Sequence, residues 1–309
     1  MRIVVHGQQA FGKAVLEALL ERDDDIVAVN APPAAPGAKA DPLVEAALAA
    51  GIPVLQPASF HTPAVWDEFR ALAPDLQVMA FVTLVVPEEF LTIPARGTIQ
   101  YHPSLLPRHR GRSSINWPII KGETETGLSV FWPDAGLDTG DVLLQKRTPI
   151  SETDTLGSVY FDRLFPLGVE AMLEAVDLVA GGAAPRLPQD HAQATYEGPC
   201  ERRNARIDWG RPWKQIHDLI RGCDPAPGAW TTCGGQAVQV YSAVPLPARD
   251  FSGLGGEVGE VVEVSDDGFS VACPDGRVRV TRVRPAGGTK LPAGEWAANA
   301  GLSAGARLE

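Results

Sequence analysis

The sequence predicts an α/β protein: a mostly parallel sheet with helices on both faces, followed by a smaller β-domain. Three observations predict it. Strand-like and helix-like segments alternate from the first residues to about 180, a polar Pro/Gly-containing stretch over 181–204 breaks the alternation, and short β-like runs separated by Gly, Pro and Asp fill the remainder. With 309 residues and 45% hydrophobic content, the chain can bury sizeable cores, and its length suits two domains.

The opening Arg2-Ile-Val-Val-His6 reads as a buried strand, 7–12 as a turn, and 13–22 as a helix with Val15, Leu16, Leu19 and Leu20 on one face. The turn Gly7-Gln-Gln-Ala-Phe-Gly12 lacks the G-x-G-x-x-G spacing of dinucleotide loops, so a tight strand-to-helix turn and no nicotinamide cofactor are expected. Strands follow at 25–30, 52–55, 76–82 and 97–101. Helices are expected before 50, over 63–72 and over 87–91. Beyond Gly111 come a short helix at 114–121 and strand-like runs at 127–132 and 142–147. A long amphipathic helix should then start at Thr153 or Asp154 as N-cap, run towards Gly181, and kink at Pro166. The stretch 181–204 reads as a surface linker. After it come a helix at 213–221 and β-like runs at 237–241, 259–264, 269–273 and 277–283, a pattern suiting a small barrel or open β-domain.

Composition narrows the function. The 27 Lys+Arg against 38 Asp+Glu give a net charge of −11, which argues against general affinity for nucleic-acid backbones. Residues 204–309 carry 11 Lys+Arg and 12 Asp+Glu, so the remaining −10 lies in 1–203. The longest apolar run, 78–86, is too short to cross a bilayer, and the N-terminus carries no targeting pattern; a cytoplasmic protein without a membrane partner is expected. Cys200, Cys223, Cys233 and Cys273 are scattered without C-x-x-C spacing, as ordinary reduced thiols would be.

Two polar turns carry the candidate chemistry. In the stretch from Thr98 to Gly111, Pro103 stops regular strand pairing directly after His102 and projects the residues beyond it as a loop at the sheet's carboxyl edge. A histidine there can act as a general acid or base, or polarise a carbonyl. The second turn is Pro133-Asp-Ala-Gly-Leu-Asp-Thr-Gly-Asp141, with Asp138 lying 36 residues after His102. In isolation, His102 is as readily a hydrogen-bonded strand-end residue, and the aspartates as readily turn formers. The alternating carboxylates of a hard-cation loop are absent, so no metal is expected.

Together the turns resemble a known family. The words His102-Pro-Ser-Leu-Leu-Pro-Arg-His-Arg-Gly111 and Gly136-Leu-Asp-Thr-Gly-Asp141 are similar to those of the formyltransferases that use 10-formyltetrahydrofolate. Within that family, Asp138-Thr-Gly-Asp-Val-Leu-Leu-Gln-Lys146, Ala194-Thr-Tyr-Glu-Gly198 and Ile220-Arg-Gly-Cys-Asp-Pro-Ala-Pro-Gly-Ala-Trp230 look most like the hydrolase domain of 10-formyltetrahydrofolate dehydrogenases. The resemblance implies a Rossmann-like formyltransferase domain over 1–203 and an OB-like β-domain over 204–309. It implies His102 and Asp138 as the residues acting on the formyl group, with 10-formyltetrahydrofolate as formyl donor. A pterin site is implied at Leu84, Val85 and Val86, walled on the other side by Ser104, Leu105, Leu106 and Pro107; an apolar slot suits a flat heterocycle.

Gln100 departs from the pattern. Amine-directed members carry Asn two residues before the histidine, whereas the hydrolase domain carries an aliphatic residue there. An amide aimed at the developing oxyanion contributes about 3 kcal/mol to lowering the barrier. Gln100 matches neither pattern, which leaves the acceptor open more than the donor; the expected acceptor is water or a small amine. Two alternatives stand beside this reading. A methionyl-tRNA formyltransferase shares the motifs, but the acidic total counts against it, as does the loop 30–40, where only Lys39 is basic. A non-catalytic folate-binding module would have no need of both His102 and Asp138.

Overall fold

The computed structural model describes residues 1–35, 37, 39–247 and 255–309. Pro36 and Ala38, within the Pro/Ala-rich loop 30–40, lie outside the described residues. The chain forms two compact units. The first comprises Met1–Gly111, Gly127–Thr148 and Arg163–Tyr196; the second comprises Arg112–Thr126, Pro149–Asp162 and Glu197–Glu309.

To residue 180 the chain runs β1 (Arg2–Gly7), α1 (Gln9–Leu20), β2 (Asp25–Asn30), α2 (Pro42–Ala49), β3 (Val54–Leu55), α3 (Pro63–Ala71), β4 (Leu76–Ala80), α4 (Glu88–Leu91) and β5 (Thr98–His102). It continues through α5 (Asn116–Ile120), β6 (Glu125–Phe131), β7 (Val142–Pro149), α6 (Leu156–Ser158) and α7 (Phe165–Ala180), with α5 and α6 falling in segments of the second unit. The seven strands form one sheet in the order β3-β2-β1-β4-β5-β6-β7. Strands β1 to β5 pair in parallel, and β6 is antiparallel to β5. Ile3, Val4 and Val5 are fully buried, as are Leu76 and Val78, because helices cover both faces of a parallel sheet. The strand order reverses between β1 and β4, the switch point beside which such sheets bind ligands at their carboxyl edge.

The turn after β1 is tighter than expected, with α1 beginning at Gln9 rather than at 13. A Cβ on Gly7 would lie 2.1 Å from the Ala80 carbonyl oxygen, so only glycine lets the turn pass the end of β4. Asp41 stabilises the same region, capping α2 through the Leu43 amide at 2.9 Å and accepting the Gln9 amide at 2.9 Å.

The helix expected from 153 or 154 to 181 is divided. Its cap is Thr155, in a reciprocal capping box with Ser158, and a π-helical segment, Val159–Leu164, separates α6 from α7. Pro166 lies at the start of α7; having no N–H and clashing with the preceding turn, it forces the widened backbone ahead of it.

In the second unit, α8 (Trp213–Gly222) precedes β8 (Ala229–Cys233), β9 (Gln236–Pro247), β10 (Val261–Ser265), β11 (Gly268–Cys273), β12 (Gly276–Pro285), β13 (Leu291–Pro292) and α9 (Ala293–Ala300). These strands form an antiparallel sheet in the order β10-β11-β12-β9-β8, with β13 added on β12. Strand β8 and helix α9 add to the elements expected from the sequence. Ile216, Ile220, Val238, Val240, Val261, Phe269, Val278 and Val280 form the core of this unit. Among the described residues, no helix is long and apolar enough to cross a membrane.

Candidate active site

His102 is the last residue of β5, and Asp138 lies in the turn joining β6 to β7. The structure brings them together. Both are buried, at 6% exposure, and His102 Nδ1 lies 3.6 Å from Asp138 Oδ2. The other ring nitrogen, Nε2, lies 2.9 Å from the His109 carbonyl oxygen. A carbonyl only accepts, so Nε2 carries a hydrogen; in the neutral ring this assigns Nδ1, which faces Asp138, as the nitrogen free to take up a proton. Asp138 Oδ2 also accepts the Gly111 amide at 2.8 Å. One short segment, 109–111, therefore touches both members of the pair.

Asp138 and His109 both adopt the left-handed conformation, with φ of 56°. Such backbone in a non-glycine residue persists where its surroundings hold it. A Cβ on Gly140 would lie 1.8 Å from the Trp132 carbonyl oxygen, and the Trp132 amide donates to the Asp141 carbonyl at 2.8 Å, so the base of the Asp turn is closed tightly. Asp134 has the plain turn-forming role, accepting the Gly136 amide at 3.0 Å.

Gln100 precedes His102 by two residues on β5, so both side chains project to the same side of the sheet. It is half-buried and pairs in register with Met79 of β4 and Phe131 of β6. The loops holding Leu84, Val85 and Val86, and Ser104 to Pro107, leave the adjacent parallel strands β4 and β5 at the same edge. Their side chains differ in use. Leu84 and Val86 pack against the buried cluster that contains Phe60, Phe69 and Phe90, while Val85 between them is 78% exposed. Ser104 is fully buried: its hydroxyl donates to the Arg108 carbonyl at 2.7 Å, and its carbonyl accepts the Ser129 hydroxyl at 2.7 Å. Leu106 is also buried, held through its amide by Ser129 Oγ and through its carbonyl by Gln145 Nε2. Leu105 and Pro107 are half-buried.

Two residues outside the expected set complete the surroundings. Arg110 is buried, donates to Gln189 Oε1 and to the Tyr196 hydroxyl, and stacks over the Tyr196 ring at 5.4 Å. Gln189 belongs to the stretch read as a surface linker. Here residues 181–196 of that stretch belong to the first unit, with backbone bonds between Leu187 and Val142 and between Arg110 and Thr195, and 197–204 belong to the second. Arg110 stands inside the first motif, and Gln189 follows a proline in a polar run, so neither carried a pattern of its own in the sequence.

The chain is similar to several known proteins. Residues 1–176 match the Formyl transferase family and residues 200–301 its C-terminal domain. Human cytosolic 10-formyltetrahydrofolate dehydrogenase is 40% identical over 285 residues, an alignment covering 86% of this chain and 32% of that protein. The chain thus spans about a third of the length of such relatives. Methionyl-tRNA formyltransferase of Geobacter sulfurreducens is 36% identical over 313 residues, covering 100% of this chain and 96% of that protein. Two solved structures share the fold. HypX from Aquifex aeolicus in complex with tetrahydrofolic acid gives a TM-score of 0.67 at 22% identity, covering 96% of this chain and 47% of that one. WlaRD, a sugar 3N-formyl transferase, gives 0.69 at 16% identity, covering 94% and 99%. Fold and site together define a class: a doubly wound α/β domain with a His–Asp pair at the carboxyl edge of its sheet, followed by a small antiparallel β-domain. The chain belongs to the formyl transferase family.

Proposed function

We propose that this chain is an enzyme that removes the formyl group of 10-formyltetrahydrofolate and passes it to water or a small amine, releasing tetrahydrofolate. The catalytic chemistry is assigned to 1–203, with 204–309 as a C-terminal domain. The observation that carries the reading is the buried pair of His102 and Asp138, with Nδ1 facing the carboxylate and Nε2 committed to the His109 carbonyl. His102 Nδ1 takes the proton of the attacking water or amine as its oxygen or nitrogen bonds to the formyl carbon. Asp138 Oδ2 stabilises the imidazolium so formed. Gln100, on the same side of β5, donates its amide to the oxyanion. The tetrahedral intermediate collapses by breaking the bond to N10, which takes the proton back from His102. With water as acceptor the products are formate and tetrahydrofolate. Leu84, Val85 and Val86, with Ser104 to Pro107, form the proposed pterin site, in which the exposed Val85 and the backbone of these loops meet the ring.

Transfer to methionyl-tRNA is a second reading, favoured by the nearly end-to-end match to the Geobacter enzyme. The net charge of −11 weighs against it. To test the main reading, His102→Ala and Asp138→Ala are assayed for formyl release and for folate binding. Each is expected to lose at least about 100-fold in kcat while still binding folate; full activity in either variant would sink the mechanism.

A further inference from the structure

We propose that Gln189 is a positioning residue that fixes Asp138 beside His102. Its kinetic consequence rests on the formyl-release reading; its structural consequence does not. Gln189 is buried and uses every hydrogen-bonding site of its amide. Oε1 accepts from Arg110 Nε at 3.2 Å and Nη2 at 2.7 Å, while Nε2 donates to the Asp138 carbonyl at 3.0 Å and to the Gly140 carbonyl at 2.6 Å. Arginine only donates and carbonyls only accept, so the amide orientation is fixed by its partners.

The segment 109–111 is tied to the Asp turn through this amide. His109 offers its carbonyl to the His102 ring, Arg110 offers its guanidinium to Gln189, and Gly111 offers its amide to the Asp138 carboxylate. Gln189 closes the ring by holding the backbone of the Asp turn on both sides of Thr139. Without those two donors, the left-handed Asp138 would lose the bonds that hold its own backbone, and its carboxylate would part from the Gly111 amide more often. The distance from His102 to Asp138 is thus set by a side chain that touches neither ring nor carboxylate.

Gln189→Ala would remove the Oε1 acceptor of the buried Arg110 guanidinium, which keeps the Tyr196 hydroxyl and His191, and is expected to destabilise the fold. Gln189→Glu is the discriminating variant, since it keeps an acceptor for Arg110 at the same length and removes both donors to the Asp turn. The first readout is amide hydrogen exchange at Gly111, which needs no activity. We expect exchange about tenfold faster in Q189E, as for loss of a bond or two, with the amides of β1 and β4 unchanged. Unaltered Gly111 exchange would overturn the proposal. The second readout is formyl release, where kcat should fall by about 10- to 100-fold with KM for the folate donor held within about threefold. A kcat near that of the parent, or a rise in KM accompanied by a lower Tm, would assign Gln189 a merely structural role. If the parent chain releases no formyl group, the functional reading fails, and the exchange measurement alone still decides the positioning claim.

Discussion

His6, the penultimate residue of β1, lies beside Asn30 and Met79, fully enclosed, with its ring 4.7 Å from that of Phe60 and its Nδ1 without a hydrogen-bond partner among the described residues. Burial favours the neutral ring and pushes its pKa from 6.5 down to about 3. The unfolded chain therefore binds a proton below pH 6.5 that the folded chain refuses. The stability associated with His6 is intact above pH 6.5 and is lost progressively as pH falls towards about 3. At pH 5 the loss is about 2 kcal/mol. His6→Leu should remove it, so urea unfolding at pH 7.5 and pH 5 should show a smaller decline for the variant; equal declines would refute the assignment. A second residue-scale expectation concerns Gln100, whose side chain projects on the same side of β5 as that of His102. Gln100→Asn should raise formyl transfer to an amine relative to hydrolysis, read by product analysis, and an unchanged ratio would mean that the amide points away from the oxyanion.

Among the elements, the turn between β6 and β7 has the least room for change. Gly140→Ala would drive a Cβ against the Trp132 carbonyl and part the ends of the two strands. Because this displaces Asp138, kcat should fall by about tenfold or more, with a stability loss of about 1–3 kcal/mol by urea unfolding. Both strands were legible in the sequence as short strand-like runs, and so was the turn, from its Asp and Gly content. The left-handed Asp138 was not, since no spacing rule encodes a conformation imposed by Gln189 and Gly111 from elsewhere in the chain. The same holds for Arg110 and Gln189, whose partnership spans 79 residues. Helix α9 shows the opposite case. Pro292 at its cap and Gly301 in a left-handed C-terminal position are local start and stop signals, available in sequence but outweighed by its Ala- and Gly-rich, weakly periodic content. The π-helical segment before Pro166 marks the limit of periodicity: a proline announces a disturbance without saying which form it takes.

At the scale of the molecule, the alternation of strands and helices was sufficient to predict a parallel sheet, because burial on both faces writes itself as continuous Val/Ile runs. The chain is acidic, and 10 of its 11 net negative charges lie in 1–203, the part that carries His102 and Asp138. A polyanionic acceptor would approach that part against repulsion, whereas water or a small amine would not. The most direct measurement is therefore tetrahydrofolate release from 10-formyltetrahydrofolate by the full chain, with no added acceptor, with a panel of small amines, and with charged initiator tRNA. Formyl transfer to water or a small amine requires release without acceptor or with a small amine, and no stimulation by the tRNA. Release only in the presence of the tRNA, or in none of the three conditions, would contradict it.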